Sequence, residues 1–489
     1  MVGGGLAGLY AVLHLPPDWD VVVADKGTDR RAGSSPLAQG GMAVPIDPED
    51  SPSLHASDTV RVGAGACNVD AVEVLTNEAR DVLEELVGLG CEFDRRPDGS
   101  FDLNREGGQT VARSVHREDA TGRELMRVVV AHARRRARRV EGAAIRLLVE
   151  GGRCIGALVR TPHGDVTAFT ARCVLLASGG CGGLYEATTN TLSSTGDGVA
   201  LAYAADASVA DVEFVQFHPT TLAAGEGQRV LLTEALRGEG AVVVDGDGER
   251  FLLEAHPDGE LAPRDMVARA IAARGEAFLD ARGLGTEEIE RRFPNVAKAV
   301  RECGFDLATG PVPISPAAHY FLGGIGTDLH GRTKLPGLYA AGECAATGVH
   351  GANRMAGNSL TEAVVFGRRA AAAMTEEAGA GFNAADATAD APPMSGDDHG
   401  WRTLRRAMSE GAGLVRDAES LRGAIVVLDK VLDSPDESLR LAATTARLIC
   451  EAALQREESR GVHFRSDHPV ADPAWDSRHI ELRTSAPAS

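Results

Sequence analysis

The 489-residue sequence lacks an apolar run close to the ~20 residues that a membrane-spanning helix requires. No charged segment precedes its short N-terminal apolar stretch, so no secretion signal is predicted. Its eight cysteines are scattered and include no CxxC pair, which argues against zinc, an iron–sulfur cluster and a disulfide framework. We therefore expect a cytoplasmic protein without a bound metal, whose cysteines are small buried residues in a reducing compartment.

Basic residues are also fewer than acidic residues. The chain has 50 basic against 70 acidic residues, a net charge of −20. This excess of negative charge argues against a bulk attraction to nucleic acid or to anionic membranes, although an acidic chain still binds small anions locally. The basic run at residues 131–140 is accordingly interpreted as a solvated helix face.

A glycine-rich turn opens the chain and predicts a dinucleotide site. Gly3, Gly5 and Gly8 fit the GxGxxG pattern, in which the glycines allow a tight turn, a close approach to pyrophosphate and close helix packing. An apolar helix follows from Leu6, and then a buried strand that ends on Asp25, whose carboxylate suits a ribose hydroxyl. Only two residues precede the glycines, so the rest of a first strand is expected upstream of the given start.

Three further segments offer polar groups to the same cofactor. Residues 34–43 supply hydroxyls and glycine amides, residues 195–198 open a helix with a carboxylate, and residues 339–344 form a strand ending on Gly-Glu. Asn358 begins an apolar helix whose N-terminus would stabilise negative charge on a reduced flavin. The predicted cofactor-binding residues are Gly3, Gly5, Leu6, Ala7, Gly8, Asp25, Lys26, Ser34, Ser35, Gln39, Gly40, Gly41, Asp197, Glu343, Asn358, Ser359 and Leu360.

A separate set of cationic and hydroxyl side chains predicts a substrate site. Several of its members lie in turns beside glycine or proline rather than on amphipathic faces, and guanidinium and imidazole groups together are typical of a site for a small dicarboxylate. The set consists of His218, Thr233, Glu234, Arg264, His319 and Arg354.

Hydrophobic patterning divides the chain into segments, and ~150 residues per domain allows two to four domains. Buried-strand runs occur in 1–211 and again in 322–375, whereas 212–321 is irregular and is predicted to be an inserted domain. Residues 376–400 have the composition of a linker. Three stretches of helical periodicity follow, which predicts a helical domain over 401–489.

The order and the residues of these motifs resemble those of the flavoproteins of the succinate dehydrogenase and fumarate reductase superfamily, and within it those of the L-aspartate oxidase family. The resemblance is sharpest at AQGG (38–41), DATGRE (119–124), EFVQFHP (213–219), LTEALRGEGA (232–241), LAPRDMVARA (261–270), PAAHY (316–320) and HGANRM (350–355). It implies an α/β fold: a Rossmann-like FAD-binding domain interrupted by an α+β capping domain, with a C-terminal helical bundle.

The resemblance also implies roles for individual residues. The positions matching His218, Thr233, His319 and Arg354 hold the substrate carboxylates, and Arg264 lies over the reacting carbons. Because free guanidinium exchanges protons poorly, we interpret Arg264 as an orienting and charge-stabilising catalytic group, with a proton shuttle as a hypothesis.

A second implied catalytic residue is Glu124, which matches a glutamate expected to meet the substrate ammonium. The alternative is that Glu124 is simply a carboxylate in the first turn of a helix.

The position that carries a covalently bound flavin in the membrane-bound branch is Ser34 here, so the FAD is expected to be noncovalent. The expected activity is oxidation of L-aspartate to iminoaspartate, with oxygen or fumarate as electron acceptor. In that family this is the first step of NAD biosynthesis, and quinolinate synthase uses the imine. The alternatives are a flavoprotein subunit of a fumarate reductase or succinate dehydrogenase, and a catalytically silent flavin-binding protein.

Overall fold

The computed structural model describes residues 1–27, 33–225, 227–377 and 396–484. Within these ranges the helices are α1 (Leu6–His14), α2 (Pro52–Val62), α3 (Val69–Gly88), α4 (Thr121–Ala133), α5 (Asp197–Ala204), α6 (Glu234–Gly238), α7 (Leu252–Ala255), α8 (Arg264–Arg274), α9 (Thr286–Arg292), α10 (Pro294–Glu302), α11 (Asn358–Glu377), α12 (Asp398–Gly411), α13 (Ala418–Val431) and α14 (Glu437–Gln455). The strands are β1 (Val22–Asp25), β2 (Met42–Ala43), β3 (Leu103–Asn104), β4 (Ser114–Val115), β5 (Arg138–Glu141), β6 (Ala143–Glu150), β7 (Arg153–Arg160), β8 (Val166–Thr170), β9 (Val174–Leu176), β10 (Ala187–Thr188), β11 (Val209–Ala210), β12 (Val215–Leu222), β13 (Gly227–Gln228), β14 (Val242–Val244), β15 (Ala277–Asp280), β16 (Val312–Phe321), β17 (Gly324–Gly326), β18 (Leu338–Ala340), β19 (Ala345–Ala346) and β20 (Glu481–Leu482).

A parallel sheet forms the centre of the cofactor-binding part. β1 pairs with β5 and β9 pairs with β18, while Val2 bridges Ala24 and Leu176 and so joins the two pairs. Helices α1 and α11 pack closely together where α11 has Gly367. A Cβ at this position would lie only 2.8 Å from the carbonyl oxygen of Ala7. The open parallel sheet with packed helices confirms the predicted Rossmann-like fold.

A second sheet carries the inserted part of the chain. Its order is β13-β10-β16-β15-β14, and β12 pairs antiparallel with the long strand β16. Its apolar side chains form a core with α6 to α10, except that Val215, Phe217, Ala318 and Phe321 pack into the core that the cofactor-binding part shares with the C-terminal helices. This α+β unit is the predicted capping domain, and β10, which precedes it in the chain, joins its sheet.

Helices α12, α13 and α14 pack as the predicted C-terminal bundle. The chain beyond α14 then returns to the cofactor-binding part, where β20 pairs antiparallel with β11. Fully buried Arg456 secures this return, because its Nε donates to Glu213 Oε1 at 2.6 Å and its Nη1 to Glu458 Oε1 at 3.0 Å. Residues 456–484 therefore join the bundle to the base of β12.

Two sequence interpretations change. The basic run at 131–140 is not one helix face, because α4 ends at Ala133 and β5 continues the parallel sheet, placing Arg139 beside Asp25. The cysteines are all free, but Cys303 is exposed rather than buried.

Helices occupy both ends of the linker predicted over 376–400: Glu377 still belongs to α11, and Asp398 begins α12. Residues 378–395 lie outside the described residues. The boundaries at 211, 321, 375 and 400 stay predictions. In the described ranges no helix is both long and apolar enough to cross a membrane.

Candidate active site

A cleft lies between the cofactor-binding part and the capping sheet. One end is lined by the glycine turn before α1 and by residues 33–41, and the other by His218, Thr233 and Arg264 from the cap. Because clefts between two parts of a chain are preferred ligand sites, this cleft is the candidate active site.

The glycine turn places the N-terminus of α1 in the cleft, where the amide of Leu6 donates to Ser35 Oγ at 3.1 Å. Gly3 has a φ of +105°, and a Cβ there would lie 2.2 Å from the carbonyl oxygen of Ala177. Helix α1 has no side-chain cap at Gly5 and no acidic residue in its first turn. Its amide groups and positive dipole end are thus suited to a pyrophosphate. Gly8 serves packing instead, since a Cβ there would lie 2.5 Å from the Gly3 oxygen.

Asp25 lies where a ribose would be held, at the end of β1 and in the wall of the cleft. Burial raises the pKa of its carboxyl, while hydrogen bonds from Gly27 and Arg139 oppose that shift. Lys26 and Asp197 form an ion pair in a smaller pocket that Asp25 also lines. The structure therefore brings Asp25, Lys26 and Asp197 together in this smaller pocket.

Most of the other predicted cofactor residues line the same cleft. They are Leu6, Ala7, Ser34, Ser35, Gln39, Gly40, Gly41, Glu343, Ser359 and Leu360. Gln39 Oε1 is buried without a partner in the described ranges, and burial raises the pKa of Glu343 to about 7. A polar cofactor such as FAD fits these groups.

Asn358 does not direct its side chain into the cleft. Its Oδ1 lies 2.8 Å from His55 Nε2, and its Nδ2 donates to Thr59 Oγ1 at 3.1 Å. The Asn358 side chain instead anchors the start of α11 to α2, while Ser359 and Leu360 of the same helix N-terminus line the cleft.

Arg354 and His319 form a hydrogen-bonded pair in the wall of the cleft. Arg354 Nη2 donates to His319 Nε2 at 3.0 Å, so the ring proton lies on Nδ1, which donates to Thr189 Oγ1 at 2.7 Å. Burial, Arg354 and Arg264 hold the pKa of His319 well below its usual value. His319 is thus neutral, and the positive charge of the pair lies on Arg354.

His218 offers a second, unused donor to the cleft. The amide of Thr220 donates to its Nδ1 at 3.2 Å, which places the ring proton on Nε2. His218 Nε2 is buried and has no hydrogen-bond partner in the part of the chain described. Since His218 lines the cleft beside His319, with ring centroids 4.9 Å apart, a carboxylate oxygen is the acceptor that this proton lacks.

Arg264 is held by a carboxylate and an amide at the start of α8. Its Nε donates to Glu234 Oε2 at 2.5 Å and its Nη1 to Gln216 Oε1 at 3.3 Å. Burial alone would raise the pKa of Glu234, but Arg264 and Arg237 outweigh it and lower the value to about 2. Glu234 is therefore ionised; it lines the cleft and fixes the Arg264 guanidinium.

Glu124 is not brought to the cleft. Its two oxygens accept from Arg127 Nε at 2.7 Å and Nη2 at 2.6 Å, and the amide of Glu92 donates to Oε1 at 2.7 Å. The bonded Arg127 lowers the pKa of Glu124. This corrects the prediction of an ammonium partner at Glu124, which is a helix carboxylate paired with an arginine one turn later.

Glu106 is the buried carboxylate that the sequence analysis missed. It lines the cleft, is 3% exposed, and accepts from the amide of Gly41 at 3.4 Å. Burial and the nearby Glu234 raise the pKa of its carboxyl, against the opposing effect of Arg264. The available signal was its position directly before Gly107 and Gly108, the same glycine punctuation that marks the other cofactor segments.

Comparisons with known proteins match this arrangement. A family model described as an FAD binding domain matches residues 1–360, and another described as fumarate reductase flavoprotein C-term matches residues 437–484. The chain is 42% identical to an L-aspartate oxidase of Streptomyces coelicolor, over 99% of this chain and 90% of that protein. It is 43% identical to one of Caulobacter vibrioides, over 99% and 95%. A chain of E. coli quinol fumarate reductase superposes with a TM-score of 0.90 at 30% identity, over 99% and 94%.

Proposed function

Because the chain belongs to the L-aspartate oxidase family of flavoproteins, we propose that it oxidises L-aspartate to iminoaspartate, the first step of de novo NAD biosynthesis. The observation that carries this proposal is the charge pattern at the substrate end of the cleft. Arg354, Arg264 and the free donor of His218 suit two carboxylates, and Glu106 suits an ammonium group. A substrate with all three groups is an amino dicarboxylic acid.

FAD, when bound, supplies the acceptor for the hydride that leaves the substrate. Ser34 lines the cleft and supports noncovalent binding. The protein's task is then alignment, because the cofactor carries the redox chemistry. We assign one carboxylate of L-aspartate to Arg354 and His319, and the other to His218 and Thr233.

The electron balance assigns distinct tasks to Glu106 and Arg264. The substrate ammonium loses one proton, for which the Glu106 carboxylate is the nearby base, and the Cα hydrogen leaves with its electron pair as the C–N double bond forms. Arg264, fixed by Glu234, holds the carboxylates while charge shifts in the substrate. With fumarate as acceptor, the same cationic groups bind its two carboxylates. Among these groups, Arg264 is the one that we assign as proton donor.

The wider setting of the reaction is also part of the proposal. With FAD bound, oxygen or fumarate would be the final electron acceptor, and quinolinate synthase would consume the unstable imine. Free cysteines throughout the chain support a reducing compartment, which for this enzyme is the cytoplasm. A flavoprotein subunit of a fumarate reductase or succinate dehydrogenase is the second candidate, favoured by the fold match but opposed by Ser34 and by the buried Glu106.

Anaerobic mixing of the FAD-loaded protein with L-aspartate, and separately with succinate, tests the proposal. We expect the flavin absorbance to bleach with L-aspartate and scarcely with succinate. Bleaching by succinate alone would move the protein to the dehydrogenase branch. Failure to bleach with either substrate would leave a cofactor-binding protein.

A pair of glutamate variants locates the ammonium partner. Glu106→Gln should raise the KM for L-aspartate by roughly 10- to 100-fold, the cost of a lost hydrogen bond to a buried charge, while succinate still binds. Glu124→Gln should change it less than about threefold, because Glu124 pairs with Arg127 and does not line the cleft. Stopped-flow flavin reduction measures both, and the reverse order of effects would restore Glu124 to the site.

A further inference from the structure

The buried side chains of Gln109 and Ser114 form a hydrogen-bonded chain that begins at the amide of Glu106. The amide of Glu106 donates to Gln109 Oε1 at 3.0 Å, which identifies the oxygen end of that side chain. The Gln109 Nε2 end donates to Ser114 Oγ at 2.9 Å and to the carbonyl of Ala356 at 3.3 Å. Gln109 is 3% exposed and Ser114 is fully buried, so water does not compete for these bonds.

The direction of these bonds determines where the Ser114 proton points. A hydroxyl has one proton, and the Ser114 oxygen is occupied as an acceptor by the Gln109 amide. Its proton is therefore available to the Glu106 carboxylate, whose pKa the Ser114 side chain lowers. The amide of Gly41 donates to the same carboxylate at 3.4 Å.

We propose that Gln109 and Ser114 are positioning residues which hold the Glu106 carboxylate toward the substrate ammonium and thereby favour an amino dicarboxylate over a plain one. The proposal rests on the function proposed above and extends it to residues that touch neither substrate nor cofactor. Gln109 acts through Ser114, and Ser114 acts through Glu106.

The charges around Glu106 explain why such support is needed. Burial and Glu234 raise the pKa of its carboxyl, whereas Arg264 and the bonds from Ser114 and Gly41 lower it. Arg237 and Arg354 are the other charged groups that face it. An ionised Glu106 attracts an ammonium but repels a plain dicarboxylate, so removing one of its donors should weaken both effects.

The pH profile of flavin reduction by L-aspartate is the first test. Because Glu106 must be ionised to bind the ammonium, activity is present above its pKa and is lost as pH falls through it. Ser114→Ala removes a donor that lowers this pKa. We expect the acid limb of kcat/KM to move to higher pH by about one unit and KM at neutral pH to rise roughly tenfold. Gln109→Met should move the limb in the same direction by a smaller amount.

Binding of succinate to the oxidised holoenzyme is the second test, and it needs no turnover. A change in the flavin spectrum reports the Kd. Affinity should fall as pH rises through the pKa of Glu106, and Ser114→Ala should move that fall to higher pH. If L-aspartate does not reduce the wild-type flavin, the proposed function fails, whereas this titration still decides whether Ser114 controls Glu106.

Thr361→Ala is the matched control, because Thr361 carries an equally buried hydroxyl whose partners are the carbonyls of Ala43 and Gly357. It should lower thermal stability about as much as Ser114→Ala and leave both pH profiles unchanged. Unchanged profiles in Ser114→Ala and Gln109→Met, or an equal shift in Thr361→Ala, would overturn the proposal.

Discussion

Arg264→Lys should keep FAD bound but slow the reduction of the flavin by L-aspartate by about 10³-fold, the loss typical of removing one preorganised stabilising donor. Lysine retains the charge but not the planar fork with which Arg264 meets Glu234 and Gln216 at the same time. A lysine ammonium paired with Glu234 would have no second donor aimed along the cleft. Anaerobic stopped-flow measures the rate, and the ratio of flavin to protein measures cofactor retention.

Arg269→Lys is the control for this substitution on the same helix. Arg269 binds Asp265 at 2.8 Å and the carbonyl of Gly461 at 3.0 Å, and it does not line the cleft. We expect less than a twofold change in rate from it. If Arg264→Lys instead lost FAD, or kept more than a tenth of the wild-type rate, Arg264 would be a structural residue of α8 rather than a catalytic one.

Local patterns explain why much of the fold was predictable. Gly3, Gly5 and Gly8 define the turn before α1, and each has a close contact or a positive φ that a larger residue would disturb. The apolar run before Asp25 forms β1, a strand whose central residues are buried. The cationic side chains of the cap that line the cleft could be singled out for a related reason: they lie beside glycine or proline and not on an amphipathic face.

Contacts distant in sequence explain what was missed. Glu124 lies in the first turn of α4, where sequence alone does not show that Arg127 folds back onto it. Glu106 lies in a segment without secondary-structure periodicity, and it reaches the cleft because Gln109 closes the turn beneath it. The basic run was misread at its end because pairing of β5 with β1 overrides a helical continuation. In each case a tertiary contact decides between two locally acceptable conformations.

Arg354→Met should raise the KM for L-aspartate by about 100-fold without lowering the stability of the substrate-free holoenzyme. Arg354 is 6% exposed, and no carboxylate lies within 4.0 Å of its guanidinium in the described ranges. Its partners are Ser359 at 2.5 Å, His319 and, at 3.3 Å, Gln216. Burial and the like charge of Arg264 lower the pKa of Arg354 to about 10.

A buried cation without an anionic partner costs folding free energy, and the partners Ser359 and His319 line the cleft, where water can replace the hydrogen bonds that Arg354→Met removes. We therefore expect the Tm of Arg354→Met without substrate to equal or exceed that of the wild type. Added succinate should raise the wild-type Tm but scarcely that of the variant, because a ligand stabilises only the state that binds it.

Arg416→Met gives the opposite pattern and serves as the control. Arg416 is fully buried but donates to the carbonyls of Gly413 at 2.9 Å and Glu213 at 2.7 Å, so its loss leaves buried acceptors unpaired. That variant should lose stability and keep its KM. A fall of several degrees in the Tm of Arg354→Met with an unchanged KM would mean that Arg354 holds the fold rather than the substrate. The expected result would mean that the site keeps an unpaired charge in its wall for the carboxylate it binds.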